Sequence, residues 1–292
     1  MSHKFVVLDN PSHLTPVATP GVLTVAGSDP SGGAGIEADL KTITSYGCYG
    51  LTCIDVLTVQ NTFGVSGKLE TAATVVQGIL EADFAHGGIN CVKIGVITRP
   101  VLTALVPFLE TFRPQLVVDT VISSTSGFTL AKQALVRDCI TQLYRYATVI
   151  TPNWDEARII YSLLFPDSNV GEPSIAGCED LARELANAIG CRAVLVKGGH
   201  VPAQRAITDV LYDRARDEVV HYKHPKIVNA KNTHGTGCTL SSAIASGLAC
   251  GLDLHTSVEK AIVYVHNAIR LADSTIGAGN GPLNHVYRMP SC

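Results

Sequence analysis

Short apolar runs alternate with longer amphipathic stretches along this chain. The apolar runs lie at 22–26, 51–59, 116–118, 147–150 and 193–196, and they predict buried strands. Apolar residues recur at helical spacing within 131–146 and 179–189, which predicts helices between successive strands. Strands separated by helices favour right-handed β-α-β units. We therefore expect an α/β fold built around a central, mostly parallel sheet.

The region after residue 205 and the amino-terminal segment complete this pattern. Strand-like runs at 206–212 and 218–222 are separated by charged turn residues and resemble a hairpin. The last apolar stripe predicts a helix that begins with Thr256 as its N-cap and has Glu259 completing a capping box. Prolines among polar residues predict an extended, partly disordered arm over 1–20, and we expect one domain over 21–292.

Composition and charge limit the classes of partner. A formal net charge of -3 and a pI near 6.3 argue against binding to nucleic acid or to anionic lipid. No apolar run approaches the ~20 residues that a membrane-spanning helix needs. The nine cysteines show neither a disulfide framework nor metal-finger spacing. We therefore expect a cytoplasmic protein that acts on a small molecule.

A glycine-rich loop near the carboxyl end, NTHGTGC at 232–238, precedes a run of small residues. Gly235 and Gly237 allow a sharp turn into a helix whose first N–H groups lack intrahelical acceptors, and such a corner binds anions. Cys238 stands at this corner, where donors and dipole are expected to lower its pKa from about 8.5 into the range of roughly 3.5–7.5. Together with Thr236, these residues suit phosphoryl transfer to a hydroxyl; the alternative is that Cys238 only fills the core.

A second glycine-rich stretch, GSDPSGGAGIEADLK at 27–41, follows the first predicted strand. Its spacing matches neither the dinucleotide-binding nor the P-loop pattern, so it is either a chain-reversal turn or a floor for a flat ligand. Asp39 lies in the helix that follows, where it faces that ligand or complements the helix N-terminus. Gln60 ends the second predicted strand, and its amide matches an aminopyrimidine in a bidentate pair; the alternative is a solvent-facing glutamine.

Three further strands each end in a polar group. Asp119 follows the first, Asn153 the second and Lys197 the third, and parallel strands bring such groups to one rim of the sheet. Asn153 and Glu156, three residues apart at a helix start, suit Mg²⁺ as oxygen ligands, and Asp119 could join them. Lys197 suits a nucleotide phosphate. The alternatives are a capping box for Asn153 and Glu156 and a solvated lysine.

Two stretches together, AGSDPSGGAGIEADLK at 26–41 and THGTGCTLSSAIA at 233–245, resemble the hydroxymethylpyrimidine and hydroxymethylpyrimidine-phosphate kinases of thiamine biosynthesis. The resemblance runs from about residue 22 to 287 and includes TVQNT, KIG, TPN, VKGGH and GPLNHVY. It implies a ribokinase-like three-layer sandwich and an ATP- and Mg²⁺-dependent kinase that makes the pyrimidine monophosphate and then the diphosphate. A homodimer is implied by analogy, and a K⁺ requirement stays open.

The resemblance also implies roles for individual residues. The glutamine that matches Gln60 binds the pyrimidine in that family, and the cysteine that matches Cys238 is the base. The complete assignment has four parts: catalysis by Cys238, Gly235, Thr236, Gly237 and Lys197; substrate binding by Gln60, Gly27, Ala34, Asp39 and Thr58; ATP binding by Lys197, Asn153 and Thr233; and metal binding by Asp119, Asn153 and Glu156. A pyridoxal kinase or dual-specificity enzyme is the nearest alternative, and a non-catalytic pyrimidine-binding regulator is an alternative of another class.

Overall fold

Nine strands form one sheet in the computed structural model, which describes residues 18–122, 131–202 and 205–289. The strands are β1 (Gly21–Ser28), β2 (Tyr49–Asn61), β3 (Gly64–Glu70), β4 (Ile89–Ile94), β5 (Gln115–Val118), β6 (Val149–Ile150), β7 (Ala193–Val196), β8 (Ala206–Asp213) and β9 (Glu218–Pro225). Their order is β3-β2-β1-β4-β5-β6-β7-β8-β9. The six neighbouring strands β2, β1, β4, β5, β6 and β7 pair in parallel, whereas β3, β8 and β9 are antiparallel to their neighbours. The expectation of a mostly parallel sheet is confirmed.

Helices cover both faces of the sheet. They are α1 (Gly35–Ser45), α2 (Ala73–His86), α3 (Arg99–Phe112), α4 (Gln133–Gln142), α5 (Trp154–Leu164), α6 (Ile175–Ile189), α7 (Thr236–Ala249) and α8 (Leu254–Arg270). Buried side chains of α1, α7 and α8 form one core against the sheet, and those of α2 through α6 form the other. This arrangement is the expected three-layer sandwich. No helix among the described residues has both the length and the apolar character to cross a bilayer.

The central strands are apolar because both of their faces are covered. Along β1, Val22 packs into the core of α1, α7 and α8, and the next residue, Leu23, packs into the opposite core. Val117 and Val118 of β5 divide in the same way. Alternate side chains of a strand point to opposite faces, and each fully buried aliphatic side chain contributes about 1.5–3 kcal/mol. Continuous apolar runs thus fix the middle layer.

Several predicted element boundaries need correction. The helix expected over 179–189 begins at Ile175, and the strand expected over 147–150 is reduced to Val149–Ile150. The helix expected over 131–146 ends at Gln142 and is followed by a separate 3₁₀ turn, Tyr144–Tyr146. The last helix begins at Leu254 with Asp253 as its N-cap, so the prediction of Thr256 as the cap is wrong. Asp253 accepts bonds from both the N–H and the hydroxyl of Thr256. Thr256 therefore lies in the first turn of the helix, and its N–H is one of the donors that the cap satisfies. The predicted hairpin is confirmed as β8 and β9, and most of the expected arm at 1–20 falls outside the described residues.

Candidate active site at the carboxyl rim of the sheet

Three of the predicted strand-end groups lie together. The Nζ atom of Lys197, just after β7, is 3.1 Å from an Asp119 oxygen and 3.9 Å from a Glu156 oxygen. Asp119 follows β5, and Glu156 lies in the first turn of α5, so parallel strands bring three distant parts of the chain to one rim. Burial would lower the pKa of Lys197, but the two carboxylates raise it above its usual value. A cation therefore lies between two acids.

Asn153 and Glu156 form the capping box that the sequence offered as an alternative. The Asn153 side-chain oxygen accepts the Glu156 N–H at 2.9 Å, and a Glu156 oxygen accepts the Asn153 N–H at 2.8 Å. Asn153 and Glu156 thus both have a structural role at the start of α5. Burial raises the pKa of Glu156, Lys197 lowers it, Asp119 raises it, and the net shift is upward.

The anion corner forms where two glycine-rich loops pack together. Gly235 has φ 84°, and a Cβ atom built there would lie 1.8 Å from the carbonyl oxygen of Gly33. Only glycine permits both the left-handed backbone and this approach. A Cβ on Gly237 would lie 3.0 Å from an Asp119 oxygen and 3.5 Å from Lys197 Nζ. The first turn of α7, which begins at Thr236, is therefore next to the acid–lysine cluster.

Cys238 does not have the lowered pKa that its place at the helix start predicted. Burial raises its pKa to about 11; Lys93 lowers it, Asp39 and Asp119 raise it, and the N–H of Gly35 lowers it. The helix dipole and donors are outweighed because the thiol is enclosed and two carboxylates oppose its ionisation. The loop sequence by itself does not reveal these charges, because they come from distant parts of the chain.

Asp39 lies in neither of the two positions considered from the sequence. It is fully buried, and both of its oxygens accept bonds from Lys93 Nζ, at 2.9 and 2.7 Å. Thr24 of β1 and Ser242 of α7 donate to the same carboxylate at 2.6 and 2.7 Å. This network joins α1, two central strands and the helix that begins at the anion corner. Both carboxylate oxygens of Asp39 are fully hydrogen-bonded within this network, and the side chain is buried. The geometry therefore does not support a direct contact between Asp39 and a ligand.

Lys93 is a functional candidate that sequence reasoning passed over. It is fully buried in β4, and although burial would lower its pKa, Asp39 holds it above the usual value. Its sequence signal is a lysine inside an otherwise apolar strand, CVKI at 91–94. Such a residue almost always has a buried partner.

Gln60 lies close to the glycine-rich turn that follows β1. Its side-chain nitrogen is 3.1 Å from His234 Nε2, and its oxygen is 3.3 Å from the Thr58 hydroxyl. His234 Nε2 is also 2.8 Å from Asp29, which accepts its other bonds from the hydroxyl of Ser31 and from N–H groups of the turn itself, including that of Ala34. Burial would raise the pKa of Asp29, but the bonds from His234 and Ser31 hold it at about 2. Gln60 is thus neither solvent-facing nor isolated.

The remaining predicted residues line the same region. Gly27, the penultimate residue of β1, packs against Val56, whose Cγ1 would lie 2.8 Å from an added Cβ. Thr233 donates from its N–H and its hydroxyl to the Asn280 side chain, at 3.0 and 3.1 Å. The Asn280 N–H in turn donates to the carbonyl of Thr62 at the tip of the β2–β3 hairpin. Asn280 therefore connects the anion corner to that hairpin, a contact that spacing along the chain could not indicate.

The arrangement suits transfer of a phosphoryl group to a small hydroxyl compound. A helix N-terminus and a lysine bind anionic oxygens, and two carboxylates beside them match the one or two that a Mg²⁺ ion takes with phosphate. Among the described residues, no cluster of three or more His, Cys, Asp or Glu side chains is arranged to hold a metal.

Comparison with known sequences gives one family. The family model for phosphomethylpyrimidine kinase matches residues 29–284. The hydroxymethylpyrimidine/phosphomethylpyrimidine kinase of Rhizobium meliloti is 42% identical over 271 residues, which are 91% of this chain and 97% of that protein. The kinase THI20 of Saccharomyces cerevisiae is 41% identical over 281 residues, which are 92% of this chain and 49% of that protein. The chain thus spans about half the length of the yeast relatives it matches.

Solved structures agree on the fold. The phosphomethylpyrimidine kinase from Clostridium difficile is 34% identical with a TM-score of 0.73, and the match covers 86% of this chain and 100% of that one. The pyridoxal kinase from Staphylococcus aureus in complex with AMP-PCP and pyridoxal is 26% identical with a TM-score of 0.81, over 94% of this chain and 96% of that one.

Proposed function

Because the chain belongs to the phosphomethylpyrimidine kinase family, we propose that it phosphorylates 4-amino-5-hydroxymethyl-2-methylpyrimidine and then its monophosphate, with ATP as the phosphoryl donor. Residues 21–292 act as a single kinase domain. The observation that supports this most strongly is the contact between Gly235 and Gly33. It joins the anion corner, where phosphate would bind, to the glycine-rich turn and Gln60, where the pyrimidine would bind.

Phosphoryl transfer depends mainly on position and charge. The first N–H groups of α7, from Thr236 to Cys238, stabilise the negative charge of the moving phosphoryl group, and Lys197 binds the same group or the leaving phosphate. In the free protein Lys197 is paired with Asp119. Nucleotide binding gives that lysine an anionic partner and leaves the carboxylate available for a cation.

Magnesium fits this site through Asp119 and Glu156. Both carboxylates approach Lys197 Nζ within 3.9 Å, and Mg²⁺ takes one or two carboxylates together with phosphate oxygens and water. When bound, the ion would neutralise charge on the nucleotide phosphates. Asn153 supports these ligands by fixing the start of α5, and Thr233 lies on the nucleotide side of the corner, held by Asn280.

Cys238 is the proposed acceptor of the hydroxyl proton. With a pKa near 11, only about one molecule in 10⁴ has the thiolate at pH 7. Lys93 is the buried cation that lowers this pKa, and it therefore supports the ionised form. Only the thiolate accepts this proton, so turnover through Cys238 is expected to rise with the thiolate fraction.

A pyridoxal kinase activity is the second candidate, because pyridoxal kinases are among the similar structures. Gln60 distinguishes the two substrates, since its amide matches an amino group beside a ring nitrogen. The test is ATP-dependent product formation on both compounds, with and without K⁺ and Mg²⁺. Phosphorylation of the pyrimidine with a kcat/KM well above that for pyridoxal supports the proposal. Ligand-dependent thermal stabilisation without ATP turnover would instead support the regulator.

The proposal extends to assembly and location. Along β2 the odd-numbered side chains Leu57 and Val59 are exposed on the face opposite Thr58 and Gln60, and Phe63 and Leu69 of the same hairpin are also exposed. This apolar face supports a homodimer that buries it. Light scattering of wild type and of Val59→Asp tests the dimer.

All eight described cysteines are free, which supports a reducing, cytoplasmic location.

A further inference from the structure

The Gln60 amide has two polar neighbours whose own bonds are fixed by other groups. His234 Nε2 is 2.8 Å from an Asp29 oxygen and 3.1 Å from the Gln60 nitrogen. The Thr58 hydroxyl is 2.8 Å from the Ser28 carbonyl oxygen and 3.3 Å from the Gln60 oxygen. The hydrogens on His234 Nε2 and on the Thr58 hydroxyl can be assigned from the chemistry of their partners, Asp29 and Ser28.

Asp29 determines the state of His234. The bonds from His234 and the turn overcome the effect of burial and hold the pKa of Asp29 at about 2, so the carboxylate is ionised at neutral pH. A carboxylate oxygen and a bare ring nitrogen cannot approach to 2.8 Å, because both are acceptors. Nε2 therefore has a hydrogen, which is directed to Asp29, and it has no lone pair left to accept an N–H of Gln60.

Ser28 determines the state of Thr58 in the same manner. A backbone carbonyl oxygen can only accept, and the Thr58 hydroxyl has one hydrogen, which goes to Ser28 at 2.8 Å. Thr58 therefore offers Gln60 only a lone pair. With the amide nitrogen toward His234 and the oxygen toward Thr58, donor meets donor on one side and acceptor meets acceptor on the other. A half-turn of the amide removes both conflicts, because its oxygen then shares the Nε2–H of His234 with Asp29 and its nitrogen donates to the lone pair of Thr58.

The geometry points to His234 and Thr58 as positioning residues that hold the Gln60 amide with its oxygen toward His234 and its nitrogen toward Thr58. One oxygen lone pair and one N–H then remain for a ligand, in a fixed order. The acceptor lies on the side of His234, which directly precedes Gly235, and the donor lies on the side of Thr58.

This order matters for the proposed substrate, on whose identity the consequence rests. In the pyrimidine the amino group lies between the ring nitrogen and the carbon that bears the hydroxymethyl group. The amino group donates to the amide oxygen near His234, and the ring nitrogen accepts from the amide N–H near Thr58. The hydroxymethyl group then extends past His234 toward the Gly235–Cys238 corner. The opposite amide orientation would direct the hydroxymethyl group away from that corner.

Neutron diffraction from crystals of the deuterated protein tests the orientation without any need for activity. The result expected is deuterium on the Gln60 atom that faces Thr58, and deuterium on His234 Nε2 facing Asp29. Deuterium on the Gln60 atom facing His234, opposite a bare Nε2, would overturn the inference. If the orientation is as inferred and the pyrimidine is nevertheless not phosphorylated, the proposed function fails while the positioning roles stand.

Kinetics test the positioning role of Thr58. Thr58→Val removes the lone pair at constant shape and is expected to raise KM for the pyrimidine roughly five- to tenfold, with kcat and the KM for ATP changed by less than about twofold. Thr58→Ser restores the acceptor and should return KM toward wild type. Thr103→Val makes the same chemical change on the exposed surface of α3, where the hydroxyl bonds only to its own helix at 3.1 Å, and controls for the loss of a hydroxyl. An unchanged pyrimidine KM in Thr58→Val, or equal effects of the two valine variants, contradicts the inference.

Discussion

Replacing Gly235 with alanine is expected to impair catalysis far more than stability. The residue has φ 84°, and a Cβ atom there would lie 1.8 Å from the Gly33 carbonyl oxygen. The left-handed backbone costs an alanine about 1–2 kcal/mol. Real Cβ atoms are not found closer than 3.0 Å to such a neighbour, so the two loops must separate by at least 1.2 Å, the difference between 3.0 and 1.8 Å. A displacement of about 1 Å at an active site reduces turnover on the order of 10²-fold.

Gly251→Ala is the matched control for the backbone strain. Gly251 has φ 81° at the other end of α7, and nothing lies within 4 Å of a Cβ atom built there. Gly251→Ala should lower the melting temperature through backbone strain alone, by about 2–4 °C per kcal/mol, and Gly235→Ala should add to this the cost of separating the two loops. Only Gly235→Ala should lose kcat, measured by ADP release with the pyrimidine as acceptor. A Gly235→Ala enzyme with kcat within about threefold of Gly251→Ala would refute the view that loop contact positions the phosphate corner.

Three further changes test the charged groups. Cys238→Ala is expected to lower kcat on the order of 10²–10⁴-fold. A base acts when it is deprotonated, and burial raises the pKa of Cys238 to about 11, so the kcat of the wild type should rise with pH above neutrality. A flat pH profile of kcat would argue against Cys238 as the base. Lys93→Met leaves the buried Asp39 carboxylate unpaired and should cost about 3–5 kcal/mol in urea unfolding, whereas Lys93→Met combined with Asp39→Leu should recover most of that loss. Lys197→Ala should raise the KM for ATP at least about tenfold with little effect on the KM for the pyrimidine, and an unchanged KM for ATP would exclude a phosphate role for this lysine.

The middle of the sheet could be predicted because its strands are buried on both faces. Apolar runs such as Ala193–Val196 have no other stable position, and the observed β7 has the predicted bounds. The start of the last helix was less predictable, because Asp253 and Thr256 are both good caps and the choice depends on packing of Leu254, which is buried. Strand β3 is short of apolar residues on both faces, so its sequence, GVSGKLE, gave no periodic signal.

The positions of the site residues were more predictable than their states. Asp119, Glu156 and Lys197 meet because parallel strands end at one rim, a rule that needs no distances. The pKa of Cys238 depends on charges at Asp39 and Lys93, which are far away along the chain, and on burial by elements that the loop sequence does not reveal. The Lys93–Asp39 pair joins residues 54 positions apart, so only the assembled structure identifies the partner of that buried lysine.

The most direct test of the central claim is ATP-dependent product formation by the purified protein. The acceptors are 4-amino-5-hydroxymethyl-2-methylpyrimidine and, in parallel, pyridoxal, with mono- and diphosphate products separated by chromatography. The account predicts that the pyrimidine is converted to its monophosphate and then to its diphosphate, with pyridoxal reacting far more slowly. Preferential phosphorylation of pyridoxal, or binding of the pyrimidine without any turnover of ATP, would contradict it.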